Sequence, residues 1–290
     1  MQQVLANVEN LNLNNKDFDK ILQTQYAGVQ FNNLKHIAVS EFYNEEANFP
    51  YWFLKNVPNS VSLLVEWCFF TEIFQGEQTI RTEKETQIRP RLKQLELRHL
   101  SKLQCICKEG VQIDPVLHFL ESIWVYQCSS LIKLVPSSVT FSYITYLEVT
   151  NCNGLINLIS HSTAKSLVKL TTMKIEMCNL LEDIVNGKED ENEIVFCSLQ
   201  TLELISLQRL CCFCSCPCPI MFPLLEVVVV KECPRMELFS LGVTNTPNLQ
   251  NVQTDEENHW EGDLNNTVKK MFYNKVYFII IHQFIFSGLV

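Results

Sequence analysis

Glycine is scarce in this chain, with 8 in 290 residues, and proline numbers only 10. That excludes a flexible linker, a collagen-like array or a low-complexity tail. Basic residues are outnumbered, 23 Lys and Arg against 32 Asp and Glu, for a net charge of −9 with no dense basic block. Nucleic acid is thereby disfavoured, because its phosphates demand clustered Lys and Arg. No phosphate-cradling G-x-x-x-x-G-K-[ST] and no G-x-S-x-G elbow occurs, and the six His are scattered. Catalysis has no foothold, and the chain reads as a non-enzyme without a cofactor or metal. The opening MQQVLANVENLNLNN has neither a charged n-region nor an apolar h-region, so no secretory signal is expected. The longest apolar run, Val276 to Val290, contains His282 and Gln283. It falls short of the about 20 apolar residues that a membrane span needs. An additional terminal strand, or a tail outside the fold, is the expectation there.

What the chain has is a repeat. The frame apolar-x-x-apolar-x-x-apolar-x-apolar recurs, often with Cys three residues after its last apolar position. It reads Leu117-Leu120-Ile123-Val125-Cys128, Phe141-Ile144-Leu147-Val149-Cys152, Leu167-Leu170-Met173-Ile175-Cys178 and Phe222-Leu225-Val228-Val230-Cys233. Two copies, around Leu95 and Leu202, carry Leu100 and Leu207 in place of the Cys, and fainter copies surround Ile37 and Leu63. Equivalent positions Ile37, Leu63, Leu95, Ile123, Leu147, Met173, Leu202 and Val228 lie 24 to 32 residues apart, with Leu11 and Val252 extending the series weakly. A period in the mid-twenties with this frame is a leucine-rich repeat. Each unit pairs a short strand with a return segment and buries its apolar face only by stacking on its neighbours. The expected fold is an α/β solenoid, a horseshoe with a parallel concave sheet and irregular or short helical return segments.

Residues 1–30 read as a degenerate or truncated first repeat, so a longer protein is expected upstream. Residues 31–254 form the solenoid, 255–273 a capping segment with Asp263 as helix cap, and 274–290 an apolar tail. Two polar insertions, residues 75–91 and 186–193, account for the longest spacings and belong on the return side. Five of the 13 Cys, namely Cys68, Cys128, Cys152, Cys178 and Cys233, share one register position. That is a packing position, where a reduced thiol acts as a small hydrophobe, and the chain reads as cytoplasmic. The run Cys211-Cys212-Phe213-Cys214-Ser215-Cys216-Pro217-Cys218 has thiols enough for zinc. It lacks the paired Cys-x-x-Cys spacing of a zinc site, and falls in a return loop.

Side chains alternate along a strand, so residues flanking the two core positions face outward and stack in columns. One column reads Ala38, Leu64, Glu96, Trp124, Glu148, Lys174, Glu203, Val229. The next reads Ser40, Glu66, Arg98, Tyr126, Thr150, Glu176, Ile205, Lys231. Trp124, Tyr126 and Tyr146 cluster in two adjacent repeats, and Trp67 lies two repeats away. Exposed aromatics among charges suit a protein-binding hot spot, with Glu96, Arg98 and Glu148 on its rim. The rings could equally cover one another or a neighbouring domain.

Segments such as LESIWVYQCSSLIKL and ITYLEVTNCNGLINLI resemble the C-terminal repeats of plant coiled-coil nucleotide-binding leucine-rich-repeat disease-resistance proteins. KECPRMELFSLG, PNLQNVQ and HWEGDLNNTVKKMF resemble the last repeats and terminal helix of that class. The resemblance spans roughly residues 31–273. It implies a protein partner: a pathogen effector, a guarded host protein, or the receptor's own nucleotide-binding domain. These residues contain no nucleotide-binding or coiled-coil sequence, so ATP/ADP switching is not carried by them. Cys-containing repeats also occur in substrate-recruiting F-box adaptors, which are more regular, and a non-functional receptor fragment is the remaining alternative.

Overall fold

In the computed structural model, the described residues are 7–16, 33–44, 49, 54, 61–74, 92–107, 117–187 and 192–287, with side chains described as far as 277. The insertion at 75–91 lies outside them, as do 188–191 of the second insertion and Ile21 of the first repeat.

Eleven strands form one long sheet. In spatial order they are Asn10–Asn14, His36–Ser40, Val61–Glu66, Leu92–Arg98, Ser122–Tyr126, Tyr146–Thr150, Thr172–Glu176, Thr201–Ile205, Val227–Lys231, Val252–Gln253 and Asn258–His259. The first ten pair in parallel. Leu11, Ile37, Leu63, Leu95, Ile123, Leu147, Met173, Leu202, Val228 and Val252 occupy one register line across the sheet. Parallel pairing needs a crossover between strands, and each return segment supplies one. The eleventh strand turns back antiparallel onto Val252–Gln253.

The apolar frame is the core. From Ser122–Tyr126 to Thr201–Ile205, every strand alternates half-buried with buried side chains. Return segments hold a short helix, His161–Ser166, and a 3-10 turn, Leu117–Phe119. They also hold short parallel strands beyond the expected irregular coil. Asn157–Ser160, Asp183–Asn186 and Cys212–Cys214 make one three-stranded sheet. Ile194–Val195, Ile220–Met221 and Thr244–Asn245 make another. Between these layers Phe196, Phe213, Phe222 and Phe239 are fully buried. Phe196 stacks on Phe222 with centroids 5.2 Å apart, and Phe213 on Phe239 at 4.9 Å.

The register cysteines do more than fill space. All five are buried. Each thiol reaches back to the strand-end carbonyl of the preceding repeat, as in Cys128 to Leu97 O (3.9 Å), Cys152 to Val125 O (3.9 Å) and Cys233 to Leu204 O (3.6 Å). Each also lies near the carbonyl two residues before it, 3.1 Å for Cys68 and 3.5 Å for Cys152. A weak S–H donor is thus placed beside backbone carbonyls, where Leu100 and Leu207 offer none. Burial pushes the Cys68 thiol up to about 12 and the Cys233 thiol to about 11.

Directly before each register Cys or Leu the backbone turns left-handed. Trp67, His99, Gln127, Asn151, Met177, Ser206 and Glu232 all have φ between 50° and 56°, and Glu41 has φ 62°. A bulky residue there costs about 1–2 kcal/mol. The compensation is a hydrogen bond to the next repeat. His99 N–H donates to Tyr126 O (3.0 Å), Asn151 N–H to Glu176 O (2.9 Å) and Met177 N–H to Ile205 O (3.0 Å). The turn swings the following side chain into the core. Met177→Asn should therefore raise stability by about 0.5–1 kcal/mol, and Met177→Val should lower it by about 1–2 kcal/mol. Thermal unfolding of the two variants reads this, and equal melting temperatures would contradict the strain argument.

At the far end, the Asp263 carboxylate accepts the Asn266 N–H (2.8 Å) and caps a helix, Leu264–Ser287. Leu264, Val268 and Met271 are buried against the last repeat, and Trp260 packs partly buried beside them. Asn265 locks the helix down: its carbonyl accepts Ser240 N–H (2.8 Å) and its amide donates to Gly242 O (3.0 Å). The expected terminal strand is corrected here. The apolar tail continues the capping helix through Ser287 rather than starting a strand, crossing position 274 without a break. Once a capped and buried first turn has nucleated a helix, each further residue adds at little cost, and no Pro or Gly interrupts it. Among the described residues no helix is long and apolar enough to cross a membrane.

Candidate functional site on the sheet face

The outward face of the long sheet carries the residues singled out above. Trp124 and Tyr126 sit two apart on the Ser122–Tyr126 strand, and Tyr146 and Glu148 sit two apart on the next. Period two puts each pair on one face, and parallel register sets Trp124 beside Glu148. The rings of Trp124 and Tyr146 lie 5.5 Å apart at 37°. The Tyr146 hydroxyl donates to Glu148 Oε2. The Tyr126 phenol lies close enough to Glu148 to feel its charge. Two phenols and an indole therefore gather around one carboxylate, and Tyr146 bonds it. Burial, and then the Glu148 charge, push the Tyr126 phenol up to about 12. Burial and the hydrogen bond to Glu148 raise Tyr146 likewise. Both phenols stay protonated over the physiological range.

Arg98 and Glu96 close the site on the preceding strand. Arg98 Nε donates to Glu96 Oε1 (2.7 Å), and its guanidinium lies 5.7 Å from the centre of the Tyr126 ring. On the following strands Lys174 pairs with Glu203 at 3.0 Å.

Trp67 is not in this group. It lies two strands away, past the end of Val61–Glu66, in the left-handed turn column. Its ring stacks on His99 at 3.8 Å and 8°. His99 is half-buried in that same column. His36 is exposed, with Nδ1 2.6 Å from Ser62 Oγ. Sequence reading missed the His99 partner because the strand-end turn shifts both rings off the period-two face. Equivalent placement of Trp67 and His99, each one residue before Cys68 or Leu100, was the available signal.

The cysteine-rich return segment lies on the opposite side. Cys212, Cys214, Cys216 and Cys218 are buried, and Cys211 is exposed. Burial raises the Cys212 thiol to about 12, with the nearby Asp183 charge adding to it, and raises Cys214 and Cys216 too. Among the described residues no group of three or more His, Cys, Asp or Glu is arranged to hold a metal ion. Gly242 passes so close to Cys218 that an added Cβ would sit 1.8 Å from its carbonyl oxygen.

The sequence profile of plant disease resistance protein RPS2-like leucine-rich repeats matches residues 7–143 and 139–258. The chain belongs to that family. No curated protein and no solved structure matches it. The RPS2-like match begins at residue 7, so it takes in the strand Asn10–Asn14 that the sequence marked only as a degenerate repeat. It ends at residue 258, ahead of the capping helix. The whole aromatic site lies within the RPS2-like repeats, and leucine-rich-repeat modules of this kind generally mediate protein–protein contact.

Proposed function

We propose that this chain works as the non-enzymatic protein-recognition module of a plant intracellular immune receptor, with the outward sheet face as its binding surface. The partner is a pathogen effector, a guarded host protein, or the receptor's own nucleotide-binding domain held in an autoinhibited state. The observation that carries the reading is the Trp124, Tyr126 and Tyr146 cluster on a rigid parallel sheet. Aromatic rings contribute large contact area for little lost rotamer freedom, and a sheet needs no rearrangement to present them. Family membership supports the immune context. A cytoplasmic location goes with this reading and is supported by the usually intracellular setting of the family.

Alanine at both Trp124 and Tyr126 should weaken partner capture at least tenfold, or release signalling in a full-length receptor carrying these repeats. Both side chains are only half-buried, so the melting temperature should stay within a few degrees. If binding and signalling survive while the melting temperature falls, the rings are structural and this reading fails.

A further inference from the structure

Two ion pairs cancel charge on this face. Arg98 holds Glu96, and Lys174 holds Glu203. Glu148 lies between these pairs, beside Trp124 in one register line and Lys174 in the same line. Among the described residues no Lys or Arg pairs with Glu148. Its hydrogen bond comes from the neutral Tyr146 phenol, which orients the carboxylate without cancelling its charge. One uncompensated negative charge is therefore fixed in a wall of three aromatic rings. The two outward columns as a whole hold Glu66, Glu96, Glu148, Glu176 and Glu203 against Arg98, Lys174 and Lys231.

That combination has a specific complement. A cation over an aromatic face gains from the ring quadrupole, and most over Trp. A guanidinium adds planar stacking and a two-pronged bond to a carboxylate. The molecule already shows the contact within itself, with the Arg98 guanidinium over Tyr126. We propose that Trp124, Tyr146 and Glu148 form a cage for a cationic side chain, arginine foremost, presented by a basic segment of the protein partner. This rests on the sheet face being the recognition surface, and it names the partner's chemistry. The touching rings of Trp124 and Tyr146 offer a face for the cation to lie over, and Glu148, oriented by the Tyr146 hydroxyl, neutralises it. Lysine fits the charge but lacks the planar stack, so it should bind several-fold more weakly.

The test uses the whole chain and a defined probe. The Trp124 indole N–H resonance, assigned by its loss in Trp124→Phe, is followed while acetyl-Gly-Arg-Gly-amide is added at low salt. The same peptide with citrulline, a neutral isostere of arginine, is the control. The arginine peptide should shift the resonance saturably and the citrulline peptide should not, and added salt should weaken the response. Glu148→Gln, isosteric and on a half-exposed carboxylate, should weaken binding at least tenfold with the melting temperature held. Glu237→Gln, exposed on the return side, should leave it within twofold. Equal responses to arginine and citrulline, no saturable shift, or full binding by Glu148→Gln would overturn the cage. The two readings separate cleanly. If Trp124→Ala with Tyr126→Ala abolishes partner capture while the arginine peptide gives no shift, the recognition face stands and the cage falls. If the peptide binds through Glu148 while partner capture ignores these residues, the cage stands and the proposed function falls.

Discussion

Cys152→Asp should cost about 3 kcal/mol or more and broaden or abolish cooperative unfolding, because a carboxylate at this position has no counter-charge. The Cys152 side chain is fully buried, and its neighbours along the stack are Cys128 and Cys178 and the carbonyls of Val125 and Thr150. Carbonyl oxygens repel a carboxylate, so the introduced group can only be accommodated protonated. The deficit should therefore shrink as pH falls toward the range where a carboxyl takes up its proton. Cys152→Ala keeps the site apolar and loses only a thiol and its weak hydrogen bonds, so it should cost far less. Urea unfolding of both variants at neutral and acid pH gives the comparison, and equal losses would show that the site is open to water. The native thiols supply an independent check. Hydrogen bonding between neighbouring thiols, together with burial, drives the Cys152 and Cys178 thiols upward. Alkylation of the folded protein should mark exposed Cys197 and Cys211 first. Rapid labelling of Cys128, Cys152 and Cys178 would contradict the packing.

Phe213→Ala should cost about 3–5 kcal/mol, the range for deleting a buried ring. Phe213 is fully buried and touches three other rings, with centroids at 4.9 Å to Phe239, 5.8 Å to Phe222 and 5.9 Å to Phe196. In a stack where each repeat contacts only its neighbours, the loss should be local first. Amide exchange should rise in the strands around Thr201–Ile205 and Val227–Lys231 before it rises near Leu92–Arg98. Tyr273→Ala is the control: that ring is 64% exposed and should contribute little. A Phe213→Ala loss no larger than the control's would remove the ring stack as the anchor of the C-terminal repeats.

The repeat was legible because stacking imposes the same demand on every unit. Ile37, Leu63, Leu95, Ile123, Leu147, Met173, Leu202 and Val228 each had to be apolar to close the core, and all fall in one register line. From that line, period two assigned the outward columns, which the parallel pairing reproduces residue for residue. The cap at Asp263 was legible for the same reason, since an unpaired helix N-terminus needs an acceptor.

Partner choice within those columns was not legible, because it depends on side-chain rotamers and competing neighbours. Sequence placed Glu96, Arg98 and Glu148 together on a rim. Only packing joined Arg98 to Glu96, sent Lys174 to Glu203, and left Glu148 among phenols. The tail was misjudged because Val, Ile, Tyr and Phe favour strands locally, whereas the helix nucleated at Leu264 extends through them. The left-handed column was invisible because, apart from Asn151 and His99, it uses Trp, Gln, Met, Ser and Glu, which do not signal a positive φ. There the tertiary hydrogen bond to the next repeat, not the residue type, holds the backbone. By itself the sequence determined the period, the core and the direction each strand residue faces, since these follow from burial repeated in every unit. Tertiary structure alone decided which charges cancel and which remain, because that is settled between strands that meet only in space.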